Sequence, residues 1–204
     1  IFTALGVRVT LVDGRDRIVP FVERELADRL QRRLTALGMT FVLDTRVADV
    51  AARDDGVALT LADGTRVEAD IGLWAAGRQS NVEGLGLEAL GVKTERGTIV
   101  TDGYGRTNVP GVYAIGDVAG PPMLAHKAEH EGVICIEKIK GFDAHPMKKE
   151  QIPGCTYCHP QVASVGLTEA KAKEQGIAIK VGRFPFQGNG KAIALGEPDG
   201  LIKT

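Results

Sequence analysis

The stretch Thr107-Asn108-Val109-Pro110-Gly111-Val112-Tyr113-Ala114-Ile115-Gly116-Asp117 decides how the rest of the chain is read. Val, Tyr and Ile make a good strand core, Pro110-Gly111 starts it abruptly, and Gly116 lets the backbone turn so that Asp117 projects beyond the carboxyl end. Ligands of open α/β sheets sit at that end. The spacing therefore predicts a buried strand presenting one carboxylate, against the plainer alternative of a strand with a capping Asp. The following segment, Pro121 to Gly132, predicts a helix beginning near Met123. The first turn of such a helix carries unpaired N–H donors and about half a positive charge, which suits negative charge on the same ligand.

Composition bounds the function classes. The 204 residues are 44% hydrophobic, enough for one or two ordinary cores. Twenty-five basic residues against 26 acidic ones give a net charge of −1 with the charges scattered, so neither a nucleic-acid surface nor another polyanion site is expected. The apolar runs are too short and broken to span a bilayer, and the first residues show no basic n-region or signal core. A cytoplasmic protein away from membranes is expected. Three cysteines do not make a disulfide framework, which suits a reducing compartment. No metal-ligand set, tandem repeat or low-complexity tract stands out.

Ile1 to Gly6 reads as the last turn of a helix with a glycine stop, followed at once by the strand Val7 to Val12 and then Asp13. That is the second half of a β-α-β unit. In dinucleotide-binding units an acidic residue closes the second strand and holds the adenosine ribose hydroxyls. Asp13 occupies that place, although a lone strand-end Asp is equally an ordinary terminator. A carboxylate there repels a 2′-phosphate and so favours NAD over NADP, while Arg15 and Arg17 stand close enough to reach toward such a phosphate.

From Glu23 to Leu37 the sequence places Leu26, Leu30, Leu34 and Leu37 on one stripe of an amphipathic helix that stops at Gly38. Thr40 to Leu43 reads as a strand, and strand-like Val57 to Leu61 and Val67 to Asp70 flank the turn Ala62-Asp63-Gly64-Thr65. Apolar Ile71 to Ala76 leads to Gly77-Arg78. A boundary is expected between Lys138 and Pro153. Beyond it, Thr168-Glu169 starts a helix carrying Ala170, Ala172 and Lys173, and Ile177 to Phe186 and Ala192 to Leu195 read as strands.

Cys155-Thr156-Tyr157-Cys158-His159 has the spacing of a c-type haem attachment site and contains the C-x-x-C of thioredoxin-like couples. Its context fits neither: no export signal accompanies it, its surroundings are strand-like, and a thioredoxin couple belongs at a helix N-terminus. Structural cysteines on or beside a strand are expected.

The wording from Thr107 to Asp117 resembles the second flavin-binding motif of the FAD-dependent pyridine nucleotide-disulfide oxidoreductases. That resemblance implies that Asp117 hydrogen-bonds a ribityl hydroxyl of FAD. Met123-Leu124-Ala125-His126-Lys127-Ala128-Glu129 is similar to the turn of the family's dihydrolipoamide dehydrogenase branch, which implies that Met123, Leu124, Ala125 and His126 contact the isoalloxazine, largely through backbone. Gly6 to Asp13 resembles the helix-to-strand passage at the NAD site, and Ala75-Ala76-Gly77-Arg78 the end of the NAD domain. On that footing Asp13, Gly77 and Val47 are candidate NAD contacts; from the residues alone Val47 reads rather as core. Ile152 to Glu169 resembles the opening of the family's interface domain.

The resemblance implies an α/β fold in three parts: residues 1–78 as part of a Rossmann-like NAD-binding domain, 79–150 as the returning segment of the FAD domain, and 151–204 as the start of an α+β interface domain that forms a homodimer. Its branch oxidises dihydrolipoamide on the lipoyl domains of 2-oxoacid dehydrogenase complexes or the glycine cleavage system, passing electrons through a Cys pair and FAD to NAD. The family's C-x4-C pair, its Gly-rich turns and its terminal His-Glu pair are not found in these residues, so no catalytic residue is assigned and the chain is expected to be a piece of an enzyme. Two alternatives stay open. Gly14 to Arg17 and Asn81 to Leu87 look somewhat like a soluble pyridine nucleotide transhydrogenase, and Cys155 with Cys158 leave a small haem-bearing electron carrier.

Overall fold

A computed structural model describes all of residues 1–204. The chain divides into two compact units, one formed by Ile1–Leu73 with Pro153–Thr204 and the other by Trp74–Ile152.

The first unit opens on a 3₁₀ turn, Phe2–Leu5, stopped at Gly6 in the left-handed conformation that glycine adopts without steric cost. Strand β1 (Thr10–Val12), helix α1 (Arg24–Ala36) and strand β2 (Thr40–Val42) follow, with β1 and β2 paired in parallel. β1 is shorter than the expected Val7 to Val12, because its only neighbour supplies three residues. The buried seam of α1 runs through Ala27 and Leu30; Leu26 and Leu34 are half-buried, and Leu37 is exposed.

Strands β3 (Val47–Arg53), β4 (Gly56–Leu61) and β5 (Arg66–Ala69) form an antiparallel meander. The expected hairpin is its β4–β5 half, and β3 is the strand missed in the sequence. Its Ala51, Ala52 and Asp49 are poor strand formers, so β3 depends on its ladder to β4. Gly56, where the chain turns into β4, needs to be glycine: φ is 153°, and a Cβ would lie 2.5 Å from the Ala69 carbonyl oxygen.

The second unit contains α2 (Leu87–Leu90) and the short strands β6 (Thr94–Glu95) and β7 (Thr98–Ile99), joined by Arg96 and Gly97, both at positive φ. Its core is Leu87, Val92, Ile99 and Ala114, with Val82, Val109, Val112 and Val118 packed around them. Helix α3 (Ala125–Ile139) closes the unit.

Here the expected buried strand is corrected. Only Tyr113 makes a β-bridge, to Arg106, and Tyr113 and Ile115 are 41% and 37% exposed. Local bonds take the place of a ladder. Val112 N–H donates to Val109 O across Pro110-Gly111, with Gly111 at φ 82°, while the Thr107 hydroxyl donates to Val109 and Val112 oxygens and accepts from Val109 N–H. Asn108 accepts from Lys93 N–H and donates to Gly91 O, fastening the turn beside β6. Thr and Asn side chains compete with sheet ladders in this way.

The chain then returns to the first unit. β8 (Gly154–Thr156) pairs antiparallel with β9 (Val162–Ser164), and α4 (Glu169–Glu174) is capped by Thr168, whose hydroxyl accepts from Lys171 N–H at 3.2 Å. Ala172 of α4 is buried, as a core-facing helical residue should be. Of the expected strand Ile177 to Phe186 only β10 (Arg183–Pro185) forms, against β11 (Leu201–Lys203). Ala192 to Leu195 is also not a strand. It lies in and just beyond α5 (Gly190–Ala194), because Asn189 caps Ala192 N–H at 3.0 Å and Ala and Lys favour helix.

Lys203 on β11 ties the two stretches of this unit together. Its ammonium lies 2.9 Å from Glu23, 3.0 Å from Glu25 and 2.7 Å from Glu169, and Arg183 pairs with Glu25 and Glu169. Glu23 also accepts from Glu169 N–H at 2.6 Å. No helix is long and apolar enough to cross a membrane.

Candidate functional site

Asp117 lies in the first turn of a 3₁₀ segment, Gly116–Ala119, which leads into the loop before α3. Ile115 is extended and Gly116 turns at φ 72°, so the carboxylate residue follows a sharp change of direction, as the Gly-Asp order implied. Asp117 is exposed. Its carbonyl accepts from Gly120 N–H at 3.2 Å and from the Ser80 hydroxyl at 2.5 Å, leaving the side chain outside these backbone ties.

The 3₁₀ segment is fastened to α3 by two residues that the sequence reading passed over. Lys127, only 2% exposed, donates to Gly116 O at 3.2 Å and Gly120 O at 2.8 Å and pairs with Glu131 Oε1 at 3.0 Å. Glu131 Oε2 accepts from Gly116 N–H at 2.7 Å. One signal was available: Lys127, Glu131 and the buried Cys135 stand at i, i+4 and i+8, placing a cation on the helix's inward face.

α3 starts at Ala125, two residues later than expected, so Met123 and Leu124 belong to the preceding loop. Met123, Leu124 and His126 are half-buried and Ala125 is exposed. Arg78 donates to Met123 O at 2.8 Å, so residues 78 and 80 hold the loop before α3 and the Asp117 turn respectively. No side chain caps the α3 N-terminus, where Leu124 is the cap residue. First-turn N–H donors and the helix dipole therefore lie beside an exposed carboxylate turn, which suits a ligand that offers hydroxyl donors and also carries negative charge.

In the other unit Asp13 follows β1 directly, with its N–H bonded to Val42 O and its carbonyl accepting from Thr45 N–H. Asp13 Oδ1 accepts from Arg15 N–H at 2.9 Å and Nε at 2.8 Å, and Oδ2 from Nη2 at 2.6 Å. The hydrogen-bonded Arg15 side chain holds the Asp13 carboxyl below the usual carboxylate range. Val47 begins β3 opposite Leu61, next to a register irregularity, and Arg46 O accepts from Ala62 N–H. The Asp44 to Val47 segment thus runs beside Asp13. Gly77 belongs to the second unit, exposed and at φ 116°, with nothing within 4 Å of where a Cβ would stand.

Cys155 is exposed on β8, while Cys158 is partly buried in the β8–β9 connection and donates to Pro160 O at 3.0 Å. Both are free thiols, and burial pushes the Cys158 thiol above its ordinary value. A raised thiol pKa lowers the thiolate fraction and opposes a redox role. His159 contacts Glu197 at 2.8 Å.

Residues 1–132 match the pyridine nucleotide-disulphide oxidoreductase family, and residues 152–204 match the dimerisation domain of pyridine nucleotide-disulphide oxidoreductases. The chain is 53% identical to a dihydrolipoyl dehydrogenase of Rhizobium etli, over all of this chain and 43% of that protein. It is 45% identical to a dihydrolipoyl dehydrogenase of Zymomonas mobilis, again over the whole chain and 45% of the relative. Among solved structures, LpdA from Mycobacterium tuberculosis superposes with a TM-score of 0.92 at 29% identity, covering 99% of this chain and 44% of that one. The chain thus spans less than half the length of these proteins.

Proposed function

Since this chain belongs to the pyridine nucleotide-disulphide oxidoreductase family, we propose that it is the central and later portion of a dihydrolipoyl dehydrogenase. In this reading the intact enzyme oxidises protein-bound dihydrolipoamide through a Cys pair and FAD and reduces NAD+. The observation that carries the reading is the Asp117 turn, fastened by Lys127 and Glu131 against the uncapped start of α3, in a chain 53% identical to a dihydrolipoyl dehydrogenase.

The residues have distinct tasks. Asp117 accepts from a ribityl hydroxyl of FAD. Met123, Leu124, Ala125 and His126 would line the flavin ring, where their backbone N–H groups would favour negative charge. Asp13 holds the adenosine ribose of NAD; Arg15 takes three of its roughly four acceptor positions, so one is open to a hydroxyl until Arg15 moves. Val47 supports the adenine side through its backbone. FAD supplies two-electron acceptance from a thiol and delivery to a nicotinamide.

Residues 1–78 serve as part of the NAD domain, 79–150 as the FAD-domain return and 151–204 as part of the interface domain. The match to a dimerisation domain supports a homodimer, and lipoyl domains of 2-oxoacid dehydrogenase or glycine cleavage complexes are its substrate carriers. A cytoplasmic location goes with this role. Neither the transhydrogenase nor the haem reading is favoured by these relatives.

Kinetic assay of the full-length gene product separates the readings. Rapid dihydrolipoamide-dependent reduction of NAD+ is expected. Hydride transfer from NADPH to an NAD analogue without dihydrolipoamide turnover would replace this reading with the transhydrogenase, and a Soret band would replace it with the haem carrier.

A further inference from the structure

We infer that Lys127 and Glu131 are positioning residues that set the place of the Asp117 carboxylate, an inference that rests on the proposed flavin role of Asp117. An ammonium has three donors, and Lys127 has three acceptors: Gly116 O, Gly120 O and Glu131 Oε1. The two carbonyls belong to the first residue of the 3₁₀ segment and to the glycine just after it, so one buried cation spans the turn that carries Asp117. Glu131 completes the hold by accepting from Gly116 N–H with its other oxygen. Gly116 is thereby pinned at both its N–H and its C=O, and the second of these belongs to the peptide that leads into Asp117.

The far side of Asp117 is fixed as well, since its own carbonyl accepts from Ser80 and Gly120. Both peptides flanking Asp117 are held while its side chain stays exposed. Gly116 adds a steric limit. A Cβ there would come within 3.2 Å of the Ala128 methyl, so the turn rests closely on α3.

Stability alone is a weak reason for this arrangement. A buried ion pair is often no better for folding than apolar side chains of similar volume, because desolvation offsets the attraction. A Leu or Met on the inward face of α3 would fill space, but would not donate to either glycine carbonyl. The pair orients backbone, and the oriented backbone carries the one carboxylate of the turn.

The test uses the full-length protein, stripped of flavin and titrated with FAD, as wild type, Lys127→Gln and Glu131→Gln. Glu131→Gln is close to isosteric at a side chain 26% exposed, so it tests the inference even where Lys127→Gln does not fold. Apo variants with wild-type circular dichroism but FAD dissociation constants raised about tenfold or more, and a shifted visible flavin spectrum, are expected. Folded variants that bind FAD with wild-type affinity and spectrum, showing only a lower Tm, would overturn the inference and leave a purely structural pair. Wild-type protein that takes up no flavin would instead overturn the functional reading, and this inference with it.

Discussion

Arg15 grips Asp13 through both carboxylate oxygens, Nε to Oδ1 at 2.8 Å and Nη2 to Oδ2 at 2.6 Å, at the end of the first parallel strand. Of the two cations that the sequence offered as ligands for a 2′-phosphate, Arg15 and Arg17, the first is thus committed to Asp13, the residue proposed to exclude one. Asp13→Asn removes the charged acceptor and frees the guanidinium together. NADH binding to the full-length protein is expected to weaken by about 1–3 kcal/mol, with NADPH losing less. Fluorescence titration with both nucleotides checks this; an unchanged NADH dissociation constant would place the ribose contact elsewhere.

Lys203 gathers Glu23, Glu25 and Glu169 around one ammonium that is 7% exposed in its side chain. Lys203→Met leaves three carboxylates close together, with Arg183 still paired to Glu25 and Glu169 but Glu23 holding only the Glu169 N–H. Urea unfolding should show a loss of about 1–3 kcal/mol at neutral pH. A variant as stable as wild type would mean that the cluster is solvated rather than structural.

The same cluster gives a pH dependence. The Arg183 hydrogen bond holds Glu25 below its ordinary value of 4.5, and the Lys203 hydrogen bond does so for Glu169. Lowered acid pKa values contribute stability that is complete above the unfolded value and lost as pH falls through the folded ones. Burial opposes the charge on Lys203, but hydrogen bonds to Glu169, Glu23 and Glu25 together outweigh it and raise the group, so its contribution is complete below 10.5 and lost only at more alkaline pH. Stability should therefore fall below about pH 4.5, and less steeply in Lys203→Met. Parallel acid limbs in the two proteins would contradict the assignment.

Residues 1–204 on their own should not oxidise dihydrolipoamide. Their three cysteines, Cys135, Cys155 and Cys158, include no C-x4-C pair, and burial raises both Cys135 and Cys158 above ordinary thiol values. Turnover by a preparation shown by intact mass to contain only these residues would force a different mechanism, with Cys155 and Cys158 the first suspects.

Much of the architecture was legible because its signals are local. The Leu26–Leu37 stripe gave α1, the Asp63-Gly64 turn gave β4 and β5, and Thr168 gave the start of α4. What the sequence misrepresented depends on neighbours. Val112 to Ile115 has strand residues but, apart from the Tyr113 bridge, no backbone beside it to pair with, and Ala192 to Leu195 has strand-like length but an Asn cap before it. The Asp117 turn was legible from Gly116-Asp117, whereas its supports were not. Arg78 and Ser80 act through one hydrogen bond each and Lys127 and Glu131 through a small network, and although the i, i+4 spacing points Lys127 inward, no periodicity marks which carbonyl a lysine will reach.

The measurement that bears most directly on the account is flavin content per polypeptide in full-length wild type and Asp117→Ala, purified identically and then titrated with FAD. The account predicts a yellow wild type with close to one flavin per chain and a folded variant that loses flavin on purification and rebinds it about tenfold or more weakly, as expected for the loss of a hydrogen bond to a charged acceptor. Full occupancy in Asp117→Ala, with an unchanged FAD dissociation constant, would contradict it.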